Sequence, residues 1–130
     1  MWVLDTNTLI YFFKGEGRVA ERMLERAPQD IGIPSIVLYE LQVGIAKSSS
    51  PEKRSKQLAE LTSVVQVLPF HQREATAAAE IRAALESEGH PIGPYDTLIA
   101  GTALAHGAIL VSRNRNEFER IEQLRLEDWF

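Results

Sequence analysis

Residues 1–13 read MWVLDTNTLIYFF. Trp2, Val3 and Leu4 make a short apolar run of the kind that fills a buried strand, and the apolar pattern resumes almost at once in TLIYFFK. Asp5 stands at the junction, at the carboxyl end of the strand and before a helix that begins near Thr6–Thr8. An aspartate there caps a helix by accepting backbone N–H groups. If the strand belongs to a parallel sheet, its carboxyl end is also where such sheets bind ligands.

The rest of the chain repeats this alternation. GEGRVAERMLERA reads as a second helix and Ile31–Ile33 as a brief strand. Pro34 and Ser35 open a helix over IVLYELQVGIAKS, Pro being favoured in a first helical turn. PEKRSKQLAELTS is helical, VVQVLPF (64–70) alternates like a strand, and HQREATAAAEIRAALESEG is a long helix ended by Gly89. The loop HPIGPYD leads into the helix TLIAGTALAHG. AILVS is a strand, NEFERIEQ a short helix and LRLEDW a last edge strand. Strands this short and apolar, separated by helices, predict an α/β fold with a central parallel sheet of four to five strands covered by helices.

A length of 130 residues fits a single domain spanning 1–130. The net charge of −4 and pI near 5.4 exclude a uniformly basic nucleic-acid-binding surface, though not a local basic patch. No cysteine is present, so a disulfide framework, a thiolate zinc site and a cysteine nucleophile are all excluded. The start of the chain lacks the pattern of a signal peptide. The longest apolar stretch, LIAGTALAHGAILV, is broken by Gly and His and is too short to cross a bilayer. The expectation is a cytoplasmic protein with no membrane association.

Three carboxylates sit in apolar company. Besides Asp5, Glu40 has Ile36, Val37, Val43 and Gly44 one helical turn away, which places it at the edge of a buried stripe where it cannot be a cap. Asp96 follows a loop stiffened by Pro91, Gly93 and Pro94 and is expected to cap the next helix as Asp5 caps the first. Two bare carboxylates about 4 Å apart repel by about 4 kcal/mol at an effective dielectric of about 20. A cluster of such groups must take up protons or a cation. All-oxygen donors suit Mg²⁺ or Mn²⁺ rather than zinc, and a cation of that kind fits phosphodiester hydrolysis.

With these residues in view, the chain resembles the PIN-domain ribonucleases, and among them the VapC toxins of type II toxin–antitoxin pairs. LDTNTLIYFFKG, IPSIVLYELQVGIAKS and PIGPYDTLIAGTALAHGAILVSRNRNEFERI carry the resemblance, together with LRLEDW, and they cover nearly the whole chain in the family's order and spacing. The resemblance implies a three-layer α/β/α sandwich and a magnesium-dependent endoribonuclease that cuts tRNA or other structured RNA. It implies a cognate VapB-like antitoxin, a homodimer and a toxin–antitoxin hetero-oligomer. Asp5, Glu40 and Asp96 fall on the family's first three acidic positions, with the metal taken mainly by the first and third. At the fourth position, where many PIN nucleases have Asp, this chain has Asn114, a neutral donor. Glu117 returns a carboxylate one turn later, as in the N-x-x-E-F pattern of VapC-like relatives. The number of metals, one or two, is left open.

Thr6, Asn7 and Ser112 are candidates for hydroxyl or amide groups that orient a carboxylate or water. Arg113 and Arg115 are candidates for phosphate contact. Arg18, Arg22 and Arg26 recur every four residues beside Glu21 and Glu25 and read as a solvated, charge-mixed face, and His71, His90 and His106 as incidental. Two other readings compete. A catalytically silent PIN module would bind RNA or a protein without cutting, which Asn114 motivates. A haloacid-dehalogenase-like phosphatase would need a second Asp two residues after the first, where this chain has Asn7.

Overall fold

The computed structural model describes residues 1–130. A five-stranded sheet, parallel throughout, is built from β1 (Trp2–Leu4), β2 (Ile31–Pro34), β3 (Gln66–Leu68), β4 (Ile109–Val111) and β5 (Arg125–Glu127) in the order β3-β2-β1-β4-β5. Flanking it are α1 (Thr6–Lys14), α2 (Val19–Leu24), α3 (Ser35–Ala46), α4 (Pro51–Thr62), α5 (Gln72–Ser87), α6 (Pro94–Ala105) and α7 (Arg115–Phe118). The expected α/β fold with a parallel sheet is therefore present, with five strands.

The order of strands matters more than their number. From β1 the chain steps outward through β2 to β3, then returns to the other side of β1 for β4 and β5. The direction of winding reverses between β1 and β4, and at such a switch point the connections leave the sheet in opposite directions and open a crevice beyond the strand ends. Asp5 leaves β1 there, its N–H donating to the Val111 carbonyl of β4 at 3.2 Å.

The central strands are buried on both faces: Val3, Leu4, Ile33, Leu110 and Val111 are fully covered. Each such side chain contributes roughly 1.5–3 kcal/mol by leaving water. α1 starts where Asp5 Oδ1 accepts the Thr8 N–H at 2.9 Å and stops at Gly15, whose left-handed φ of 70° turns the chain out of the helix. α5 and α6 approach most closely at Gly101, where a Cβ would lie 2.6 Å from the Ala78 Cβ.

Several elements are shorter than the periodicity predicts. The strand expected over 64–70 contains only Gln66–Leu68, and the helix expected over 116–123 is a single turn that starts one residue earlier, Arg115–Phe118. The arginine stripe is corrected as well. Arg26 is not on a solvated face: its guanidinium lies between the Trp2 and Trp129 rings, 4.4 and 4.6 Å from their centroids, and 3.7 Å from Glu127. Nor is His106 incidental, since its Nε2 stands 3.4 Å from the buried Glu74 carboxylate. No helix is long and apolar enough to cross a membrane.

Candidate active site

At the switch point the ends of β1 and β4 are joined by a buried hydrogen bond. Ser112, the residue after β4, donates from Oγ to Asp5 Oδ2 at 2.6 Å and accepts the Asn114 N–H at 3.0 Å. With Thr8 N–H on Oδ1, both oxygens of Asp5 are held, and Thr8 Oγ1 donates in turn to the Val111 carbonyl at 3.2 Å. Burial raises the Asp5 carboxyl above its ordinary value, while the hydrogen bonds from Ser112 and Thr8 pull it back. Asp5 thus caps α1 with one oxygen, while Ser112 at the end of β4 holds the other.

The second wall comes from α3, where Glu40 is half-buried and its Oε1 accepts the Thr6 hydroxyl at 2.7 Å. Thr6 therefore orients a carboxylate. Asn7, one residue on, is exposed on the first turn of α1.

Asp96 departs from expectation in its helical position. α6 begins at Pro94 with Gly93 as its cap, so Asp96 lies in the first turn and caps nothing. Pro94 occupies the position where a missing N–H costs no bond, and this carries the helix two residues further back than the aspartate suggests. Freed from capping, the half-buried Asp96 carboxyl meets Glu117 across the crevice. Desolvation raises it most, then its hydrogen bond to Glu117 and the charges of Glu117, Asp5 and Glu40, so that it reaches about 7. Glu117 is fixed from its own side by Asn114, whose Nδ2 donates to Oε2 at 3.2 Å, and by fully buried Phe118 next to it. Asn114 is thus the brace of a carboxylate.

The four acids share one crevice, and none of them is paired with a basic side chain. Both arginines proposed for phosphate are exposed and make surface contacts: the Arg113 guanidinium lies 3.6 Å from the centroid of the Phe130 ring, and Arg115 pairs with Glu119 at 3.3 Å. Uncompensated negative charge in an all-oxygen donor set fits a hard divalent cation. No group of three or more acidic or histidine side chains lies close enough to hold a cation by itself, so a Mg²⁺ ion here would need water or phosphate oxygens to complete its ligands. Asp5 and Asp96 could hold it, with Glu40 beside them.

Two features of the surroundings were not read from the sequence. Tyr39 and Tyr95, each immediately before an acidic residue of the site, meet edge to face with hydroxyls 3.4 Å apart. A groove of about 220 Å³ also runs from Glu40 between α1, α3 and α4, lined by Ile10, Phe13, Leu41, Ile45 and Arg54. Only the tyrosines had a signal, their adjacency to Glu40 and Asp96.

A model of the PIN domain matches residues 2–124. Over 128 residues the chain is 37% identical to the tRNA(fMet)-specific endonuclease VapC of Shigella flexneri, covering 98% of this chain and 97% of the relative. The chain belongs to the PIN-domain family, in its VapC branch. Solved structures agree: VapBC2 of Rickettsia felis, bound to a DNA fragment from its promoter, superposes with a TM-score of 0.92 at 36% identity over 99% of this chain and 98% of that one. DNA-bound VapBC of Salmonella typhimurium gives a TM-score of 0.92 at 38% identity over the same shares. In this VapC-like chain the crevice at the switch point is therefore the candidate nuclease centre, and a silent carboxylate cluster is the less economical reading.

Proposed function

We propose that this PIN-domain protein is a Mg²⁺- or Mn²⁺-dependent endoribonuclease, the toxin of a type II toxin–antitoxin pair. It hydrolyses phosphodiester bonds of structured RNA, and the names of its relatives make initiator tRNA the first substrate to try. The carrying observation is the crevice at the β1/β4 switch point, where Asp5, Glu40, Asp96 and Glu117 gather without any basic partner.

Asp5 and Asp96 are the residues that would hold the cation, and Glu40 would steady it. Such an ion supplies neutralisation of the phosphate charge and acidification of the attacking water. The chain's own groups do the remaining work. Ser112 and Thr8 fix Asp5 in one orientation, and Thr6 fixes Glu40. Hydrolysis requires a proton to leave the water as its oxygen bonds to phosphorus, and a proton to reach the departing ribose oxygen. With no histidine among these residues, the water itself or a carboxylate serves, and Glu117, braced by Asn114 and outside the pair that would hold the cation, is the carboxylate left for it.

A VapB-like antitoxin is the proposed inhibitor, because VapBC complexes are what the similar structures contain. The groove beside Glu40 offers its apolar lining to such a partner, with Arg54 available to an acidic group on it. A homodimer in the cytoplasm, where RNA and partner meet, completes the proposal.

The test is cleavage of an initiator tRNA transcript and of total cellular RNA by purified protein. Mg²⁺ or Mn²⁺ should be required, and Asp5→Asn and Asp96→Asn should each remove detectable cleavage. Wild-type protein that binds these RNAs but cuts none with either ion would instead establish the silent-module alternative.

A further inference from the structure

The basic side chains nearest the acids sit at the surface around them and not among them: Arg113 lies against Phe130, Arg115 is paired with Glu119, and Arg54 lines the groove beside Glu40. On a protein of net charge −4, binding of a polyanion needs another source of affinity beside the cut site. The tyrosine pair is placed to supply it. Tyr39 precedes Glu40 on α3 and Tyr95 precedes Asp96 on α6, and their rings meet between these two helices.

The chain has three tyrosines, and Tyr11 is packed against Phe130. Tyr39 and Tyr95 are 50% and 44% exposed. Large aromatic side chains left open at the mouth of a polar site have not been recruited by the core. Their mutual geometry keeps them usable: centroids 5.8 Å apart at 65° make an edge-on contact, which leaves a ring face open to solvent. The hydroxyl contact of 3.4 Å ties the rings together and lowers the entropy lost when something settles on them. Tyr95 also feels the charge of Glu40, which places its phenol close to the acids.

We propose that Tyr39 and Tyr95 form a stacking platform for an unpaired nucleobase next to the scissile phosphate, and so position the strand. The proposal rests on the ribonuclease reading above. It makes the tyrosines positioning residues, and it requires a looped or single-stranded segment at the cut site, because a paired base has no free face to offer.

The experiment uses full-length protein and the RNA that it cleaves, with steady-state kinetics for Tyr39→Ala, Tyr95→Ala, both phenylalanine variants, and RNAs carrying an abasic nucleotide at each position flanking the cut. Each alanine variant should raise KM by about 5- to 150-fold, the worth of one stacked base, with a smaller effect on kcat. Phenylalanine should restore most of the loss. One abasic position should weaken wild type by a similar factor, and the alanine variants should lose little more on that RNA, the non-additivity expected of a shared contact. Alanine variants equal to wild type would overturn the proposal alone, as would phenylalanine variants as poor as alanine, which would make the contact polar. A change of sedimenting mass in the alanine variants would also overturn it, by giving the pair to a second copy of the chain. Wild-type protein that neither binds nor cuts RNA would overturn the ribonuclease reading and the platform with it.

Discussion

Ser112 shows how much of a site can hang on one hydroxyl. Its Oγ satisfies Asp5 Oδ2 and the Asn114 N–H together, from a position 1% exposed. In Ser112→Ala the buried Asp5 oxygen loses its donor and the Asn114 N–H its acceptor, a loss of about 1–3 kcal/mol. Because Asp5 is no longer held, activity should fall by about 10- to 100-fold, as for other groups that orient a metal ligand. Urea unfolding and RNA cleavage on the same preparation measure the two effects. Asp96 offers a prediction in pH. Its carboxyl sits at about 7 in the folded protein against 3.8 as a free side chain, facing Glu117, Asp5 and Glu40. Near pH 3.8 and below, both states carry the proton; from there to about 7 the folded state alone keeps it. Its contribution to stability is therefore present at low pH and lost as pH rises through 7. Metal-free Asp96→Asn should show a flatter Tm between pH 5 and 7.5 than wild type by calorimetry, and Mg²⁺ should raise the wild-type Tm more at pH 8 than at pH 5. Asp5, Glu40 and Asp96 were legible in the sequence because an acid in an apolar run is costly. The brace of Glu117 by Asn114, and the diversion of Arg113 to Phe130, were not, since side-chain partners follow from tertiary packing.

Among the elements, α5 and α6 depend on a single missing side chain. Gly101→Ala places a Cβ 2.7 Å from the Ala78 backbone N, so the helices must separate or the backbone shift. Overpacking of this kind costs about 1–3 kcal/mol and should appear as a lower urea midpoint with an unchanged slope. Such a separation would also move the first turn of α6, which carries Asp96, so cleavage should fall with stability. The helices themselves were readable from their stripes and stops, Gly89 among them, although Gly15, read into the second helix, in fact ends the first. Their starts were less so. At α6 both Pro94 and Asp96 are good opening residues, and composition alone does not decide between a proline in the first position and an aspartate cap. Strands of three residues, such as Gln66–Leu68, are set by where their neighbours end, which local alternation does not report.

On the scale of the whole molecule, alternation of strands and helices gave the parallel sheet away, but the order β3-β2-β1-β4-β5 is a matter of which edge the chain returns to after β3, and no local pattern encodes it. That order is what brings the end of β1 to the end of β4. The molecule is closed by a second meeting of distant segments. Glu127 accepts hydrogen bonds from the Trp2 and Trp129 indoles at 3.3 and 2.9 Å while Arg26 lies between the rings. Arg26→Ala removes two cation–π contacts and should destabilise the fold by roughly 1–3 kcal/mol. Since these are the chain's two tryptophans, intrinsic emission should change in that variant even where it remains folded, which fluorescence compared with circular dichroism can separate. The sequence separations carry a further consequence for synthesis. Asp5 waits for Ser112, 107 residues later, and Trp2 for Glu127, 125 residues later. A ribosome making this chain therefore releases Asp5 long before the Ser112 that fixes it, and a nascent chain stopped before β4 has no assembled centre. The capacity to cut RNA should begin only once β4 has been made and has docked beside β1.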